Sequence, residues 1–172
     1  MLPEDVMFSA SVRAQQERHG SRAAYARRAA NGGFATSLSD DAIAFIQARN
    51  SVYLATASAD GQPYIQHRGG PTGFIAVLDR RTIAFAEYPG NRQFVSSGNL
   101  AANARAFLFL MDYANGRRLK LWGTARTVDE PQFLDNLIAP DAIKAKRAIV
   151  FTIRAIDWNC SNHIPHLVPQ PP

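Results

Sequence analysis

The chain has 172 residues, enough for one domain with a substantial core. Its apolar content of 47% excludes a disordered chain, no apolar run approaches the roughly 18 residues of a membrane span, and a single cysteine, Cys160, excludes an internal disulfide framework. A formal charge of +5, dispersed over "RAAYARR", "DRRT", "NGRRLK" and "KAKR", favours anionic partners without marking a basic tail.

In chain order, the start "MLPEDVMFSASVRAQQERHG" sets acids beside its few apolar residues and does not read as a secretory signal. With the lone cysteine, this gives the expectation of a reducing, cytoplasmic location. Residues 1–38 read as a partly helical extension, with a helix over Arg22–Ala30 stopped by Asn31-Gly32-Gly33. Ser39 is the expected N-cap of a second helix whose Asp40 and Asp41 suit its first turn and whose Ile43 and Ile46 share a face. It is expected to end near Arg49-Asn50.

From Ser51 the period changes to that of strands. "SVYLATAS", Asp60-Gly61 and "PYIQHR" form one predicted hairpin, and "FIAVLD" and "TIAFAEY" around Asp79-Arg80-Arg81 form another. Between Gly90 and Asn103 the pattern is helix-like. "RAFLFLMDY" is apolar on both faces and predicts a central strand covered on each side. Asn115-Gly116 turns the chain into "RRLKLWGTARTV", a short helical region follows over 131–147, and "AIVFTIRAID" closes the sheet. Strands joined by hairpins, without regular strand–helix alternation, exclude a Rossmann fold and predict a mainly β domain over 39–172, a small antiparallel barrel with peripheral helices.

Three basic clusters fall at strand ends or a helix start. In "YIQHRGGPTGF", alternation places Tyr64, Gln66 and Arg68 on one face and Ile65 and His67 on the other, so the two basic side chains diverge. Gly69 and Gly70 follow, and the segment reads either as an edge strand with solvated charge or as a backbone able to approach an anion. In "YPGNRQ", Asn91 can cap a helix and Arg92 offers a planar fork to phosphate oxygens, with Gln93 beside it; a routine cap is the plainer reading. In "RRLKLW", Arg118, Lys120 and Trp122 share a strand face that could hold phosphate and cover a planar ring, or could be a solvated face over a tryptophan. Jointly they point to a flat, phosphorylated ligand.

Sharper motifs are missing: there is no phosphate-binding P-loop, no dinucleotide fingerprint and no G-x-S-x-G elbow. Cys160, His163 and His166 have a metal-like spacing, but Pro165 interrupts it and no fourth ligand is evident, so no metal is expected. No RNA- or DNA-binding signature accompanies the dispersed charge, so nucleic acid is not an expected partner.

The succession "VYLATASADGQPYIQHRGGPTGF … TIAFAEYPGNRQFVSSGNLAANARAFLFLMDY … RRLKLWGTARTV" resembles the pyridoxamine 5′-phosphate oxidase-like family of FMN-binding split barrels, over about Asp40 to Val128. The resemblance implies that "AIVFTIRAIDWNC" is the strand that completes the match. The order and spacing of the segments carry the resemblance more than any one motif. It implies an antiparallel split β-barrel, a homodimer, and FMN in a cleft between subunits. His67-Arg68 and Asn91-Arg92-Gln93 correspond to the family's phosphate-anchoring positions. Arg118 and Lys120, with Trp122 near, correspond to flavin contacts, and Trp158, Asn159 and His163 lie where the C-terminal segment reaches the cleft.

Departures limit the transfer. Glycines follow Arg68 where the vitamin-forming oxidase has a lysine, Asn91-Arg92-Gln93 replaces serine-arginine-lysine, and "HIPHLVPQPP" lacks the substrate-binding arginine motif. The resemblance therefore implies an FMN-dependent oxidoreductase acting on a small redox substrate, with NADH or NADPH as a candidate reductant, more than pyridoxamine phosphate oxidation itself. The alternative is a module that holds flavin or haem without turnover. No catalytic residue is assigned.

Overall fold

The computed structural model describes residues 2–137, 145–158, 164, 165 and 167. Its strands are β1 (Ser51–Ala57), β2 (Pro63–Gly69), β3 (Ile75–Asp79), β4 (Thr82–Glu87), β5 (Arg105–Asp112), β6 (Arg117–Val128) and β7 (Arg147–Trp158). They form a seven-stranded sheet in the order β2-β1-β5-β6-β7-β4-β3, and every neighbouring pair is antiparallel. The outermost strands β2 and β3 do not pair. Yet the sheet curls until Arg68 of β2 reaches Glu87 of β4 at 3.1 Å and Phe74 meets Phe85 edge-on. The result is a barrel with one open seam, as the sequence predicts.

The helices are α1 (Pro3–Met7), α2 (Ala10–Arg18), α3 (Arg22–Ala30), α4 (Asp40–Gln47), α5 (Val95–Ala102) and α6 (Pro131–Leu134). The Ser39 hydroxyl accepts from the Ala42 N–H, the cap expected from sequence, and Ala42, Phe45 and Ile46 are buried. These three residues seat α4 on one end of the barrel. There Arg49 pairs with Asp112 at 3.1 Å, and the ring of Phe45 meets Trp158 edge-on. At the other end α5 is tied to β1 by the Asn99 side-chain amide, which donates to the Thr56 hydroxyl. The core between them contains Leu54, Leu108, Leu110, Leu119, Leu121, Phe85 and Phe151, all fully buried. Gly123 sits at a bulge between β6 and β7, where a Cβ would run into the Thr152 carbonyl.

Burial raises the Asp112 carboxyl, but the Asn115 side-chain and backbone N–H groups and the Arg49 guanidinium more than offset this, leaving its pKa lowered. A depressed carboxylate stabilises the fold above its unfolded pKa, and this is lost as pH falls through the folded value. Urea titrations from pH 6 to pH 3 are therefore expected to show a loss of stability on the acid side from this group. Asp112→Asn is expected to be less stable at neutral pH and to show a flatter pH profile.

Three expectations change. The helix predicted over 131–147 is short: α6 covers four residues and Arg147 belongs to β7, while 138–144 lie outside the described residues. Asn91 does not cap α5. Its side chain accepts from the Gln93 N–H at 3.2 Å, turning the loop early, and the helix begins after Phe94, whose backbone is left-handed. β5 is central, but only one of its faces is covered: Ala106, Leu108 and Leu110 are buried, whereas Phe107, Phe109 and Met111 are half-buried on the outer face. Double-sided apolarity is what both a fully enclosed strand and an unpartnered apolar surface would show, and the pattern alone does not separate them.

Candidate ligand cavity

A cavity of about 370 Å³ opens at the seam. One wall is the inner-facing side of β2, where Tyr64, Gln66 and Arg68 follow one another at period two. The end of β4 contributes Glu87, residues Tyr88 to Phe94 form the rim, Val95 and Ser96 begin α5, and Lys146 and Arg147 lead into β7. Four cationic side chains, Arg68, Arg92, Lys146 and Arg147, thus stand with one carboxylate.

That carboxylate is 8% exposed and bridges the seam. Glu87 Oε1 accepts from Arg68 Nη2 at 3.1 Å and Oε2 from Arg147 Nε at 2.8 Å, with the Ser97 hydroxyl 3.4 and 3.5 Å from the two oxygens. Arg147 is also the cross-strand neighbour of Glu87, and its guanidinium lies over the Phe94 ring at 4.7 Å. Ser96 donates to Gln66 at 3.1 Å, joining the helix start to β2. The rim is strained: Arg92 and Phe94 adopt φ of 61° and 55°, left-handed values that non-glycine residues rarely take.

Two buried polar atoms of the walls, Arg68 Nε and the Tyr88 hydroxyl, have no hydrogen-bond partner among the described residues. Burial raises the Tyr88 pKa, so the hydroxyl remains a donor at neutral pH. The first turn of α5 has no side-chain cap, leaving backbone N–H groups beside the cations. Orphaned donors, cations and a helix start around one space fit a phosphorylated ligand.

The sequence-predicted residues divide into groups. Arg68, Asn91, Arg92 and Gln93 line the cavity together. Gly69 and Gly70 do not: Gly70 donates its N–H to the Asn50 carbonyl, and the Phe74 ring packs where its Cβ would be. The close approach at Gly70 is thus to the protein's own Phe74 ring, and Gly69 lies beside the His67 imidazole and the Asn50 carbonyl. His67 points to the outer face, where it meets Tyr53 edge-on at 5.4 Å, the divergence alternation predicts.

Arg118, Lys120 and Trp122 also lie on the outer face. The register runs His67–Tyr53–Phe109–Lys120 in one row and Ile65–Ala55–Phe107–Trp122 in the next. Phe107 and Trp122 are 4.8 Å apart edge-on, and Ile65 is 60% exposed. Lys120 has a lowered pKa, from burial first and the Arg118 charge in addition, partly opposed by Asp157 at 3.9 Å. Trp158 is elsewhere, packed on Phe45 beneath the Arg117 guanidinium. Asn159, Cys160, His163 and His166 lie outside the described residues. Among the described residues no cluster of three or more His, Cys, Asp or Glu side chains could hold a metal, and no helix is long and apolar enough to cross a membrane.

Glu87, Lys146 and Arg147 were not legible as site residues. The available signal was a single acid closing the otherwise apolar strand "TIAFAE". A carboxylate there must find cations, but the sequence does not say which.

An antiparallel barrel with an open seam and a cationic cavity at that seam defines the class. The family model for pyridoxamine 5′-phosphate oxidase matches residues 38–160, and the chain belongs to that family. The match begins beyond α1–α3. The fold is similar to that of a candidate pyridoxamine 5′-phosphate oxidase from Lactobacillus delbrueckii, at 19% identity and a TM-score of 0.58, covering 72% of this chain and 95% of that one. It is also similar to a conserved hypothetical protein of Mycobacterium tuberculosis, at 20% identity and a TM-score of 0.54, covering 80% and 96%. A Clostridium acetobutylicum protein related to general stress protein 26, of the pyridoxinephosphate oxidase family, matches at 16% identity and a TM-score of 0.54, covering 69% and 85%. No curated protein matches the sequence.

Proposed function

We propose that the protein is an FMN-dependent oxidoreductase that holds the flavin between two copies of the chain. The observation that carries the reading is the seam cavity, whose volume suits a small-molecule site and whose orphaned donors and cations suit a phosphate. Arg68, Arg92, Arg147 and Lys146 would hold the phosphate, aided by the N–H groups that begin α5, and the Tyr88 hydroxyl would donate to the ligand. FMN when bound supplies the electron or hydride chemistry. The protein anchors one end, orients the ring and limits the approach of water.

Two copies are invoked because the ring-facing candidates lie on the other side of the sheet. Arg118, Lys120 and Trp122 are on β6, three strands from β2, about 14 Å at ordinary strand spacing. A flavin anchored at the cavity of one chain meets such a strip more readily on a second copy. The half-buried outer face of Tyr53, Phe107, Phe109, Met111 and Trp122, with exposed Ile65, supplies apolar area for that contact.

Purified protein is expected to show flavin absorbance, or to gain it on addition of FMN at one flavin per chain. Anaerobic NADH or NADPH should then bleach it, and reoxidation by candidate acceptors would report the substrate class. A colourless protein that takes up no FMN would overturn the reading. Stoichiometric flavin that neither nicotinamide reduces would favour a holding or sensing module.

A further inference from the structure

β4 is apolar and buried from Ile83 to Ala86 and then ends, still buried, on Glu87. A carboxylate in that position costs free energy unless cations meet it, and here two do, one from each side of the open seam. Arg147 is its cross-strand neighbour and Arg68 reaches from β2, with which β4 shares no ladder. Glu87 therefore hydrogen-bonds to two of the guanidinium groups that the proposed phosphate site would use. Neither arginine is used up by it. Arg68 Nε remains buried without a partner among the described residues, and Arg147 meets the carboxylate through Nε alone.

We propose that Glu87 is a resident counter-anion that holds Arg68 and Arg147 together in the empty protein and competes with a phosphorylated ligand for them. This rests on the reading of the seam cavity as a phosphate site. The consequences have opposite signs in the two states. Without ligand, Glu87 neutralises two arginines that would otherwise repel each other across the seam, and so it stabilises the barrel. With ligand, its negative charge stays beside the phosphate and weakens the attraction that Arg68, Arg92, Lys146 and Arg147 exert. The residue then sets cofactor affinity low enough for exchange, and it narrows the site's preference for the phosphorylated over the unphosphorylated form of one ring.

The test is Glu87→Gln, which keeps the shape and removes the charge. FMN and riboflavin binding are measured by fluorescence quenching, and melting temperature with and without inorganic phosphate, for wild type and variant. FMN is expected to bind about tenfold tighter to the variant at moderate ionic strength, with a steeper loss on adding salt. Riboflavin affinity should not change. The variant without ligand should melt lower than wild type and be raised more by phosphate. Glu87→Asp, which retains the charge, should bind FMN no tighter than wild type, and it carries the comparison if the glutamine variant does not fold.

Weaker FMN binding by Glu87→Gln would overturn the proposal and make Glu87 a positioning residue for its arginines. Tightening of FMN and riboflavin alike, or tightening in Glu87→Asp, would overturn it as well. If wild type binds no FMN, the flavin reading fails on its own. The phosphate-induced melting shift then still decides whether Glu87 opposes an anion at this site.

Discussion

On the proposed two-chain flavin site, Phe107→Asp is expected to leave the chain monomeric and to weaken its hold on FMN. Phe107 lies centrally on the outer face, edge-on to Trp122 at 4.8 Å and stacked near Phe109 at 6.4 Å. Within one chain it is only half-buried, so a carboxylate there can remain hydrated and the barrel should still fold. Pressed against a second copy, the same carboxylate would be desolvated opposite apolar rings and its own symmetry mate, which costs several kcal/mol. Association should weaken by about a thousandfold or more. Sedimentation velocity would read the oligomeric state, circular dichroism the fold, and absorbance the retained flavin. A monomeric variant that binds FMN as tightly as wild type would sink the two-chain site while leaving the phosphate cavity standing.

The second large effect is at Arg68. Its side chain is 14% exposed, it faces the cavity, and it is the only β2 residue paired to Glu87 among the described residues. Arg68→Ala removes a fork of donors from the proposed phosphate position and leaves Arg147 as the one cationic partner of Glu87 among the described residues. A hydrogen-bonded charge pair of this type is worth roughly 1.5–3 kcal/mol, so FMN affinity should fall by about tenfold to a hundredfold. The empty protein should also melt at a lower temperature, since one tie across the seam is cut. Arg68→Lys restores the charge without the planar fork and should recover only part of the affinity. Titration of each variant with FMN and riboflavin is the check: unchanged FMN affinity in Arg68→Ala would remove the cavity from consideration as the phosphate site.

These expectations draw unequally on sequence and on three-dimensional structure. The strand-by-strand reading follows from local chemistry. Asp60-Gly61 and Asn115-Gly116 close hairpins because their glycines take left-handed backbone angles, φ 94° and 61°, that other residues avoid. Ser39 caps α4 because its hydroxyl reaches an N–H left unpaired by helix geometry. The divergence of His67 and Arg68 follows from the pleat alone. Such features depend on neighbours within a few residues, and those neighbours are written consecutively.

The rim of the cavity was harder to read. Asn91 has a capping residue's chemistry but spends it on a turn, because Arg92 and Phe94 are held left-handed and postpone the helix to Val95. The glycines after Arg68 read as room for a ligand, and tertiary packing gives the room at Gly70 to Phe74 and that at Gly69 to His67 and the Asn50 carbonyl.

What the sequence settled by itself is the run of antiparallel strands, the hairpin turns, the cap of α4 and the face of each β2 residue, since period and turn chemistry are local. Only the tertiary structure brought Glu87 to Arg68 and Arg147, separated the cavity residues from Arg118, Lys120 and Trp122, and left one face of β5 half-buried. Those outcomes depend on how the sheet curls. Curling brings Arg68 within 3.1 Å of Glu87, 19 positions away, and the β4–β7 pairing brings Arg147 within 2.8 Å, 60 positions away, distances that no periodicity along the chain encodes.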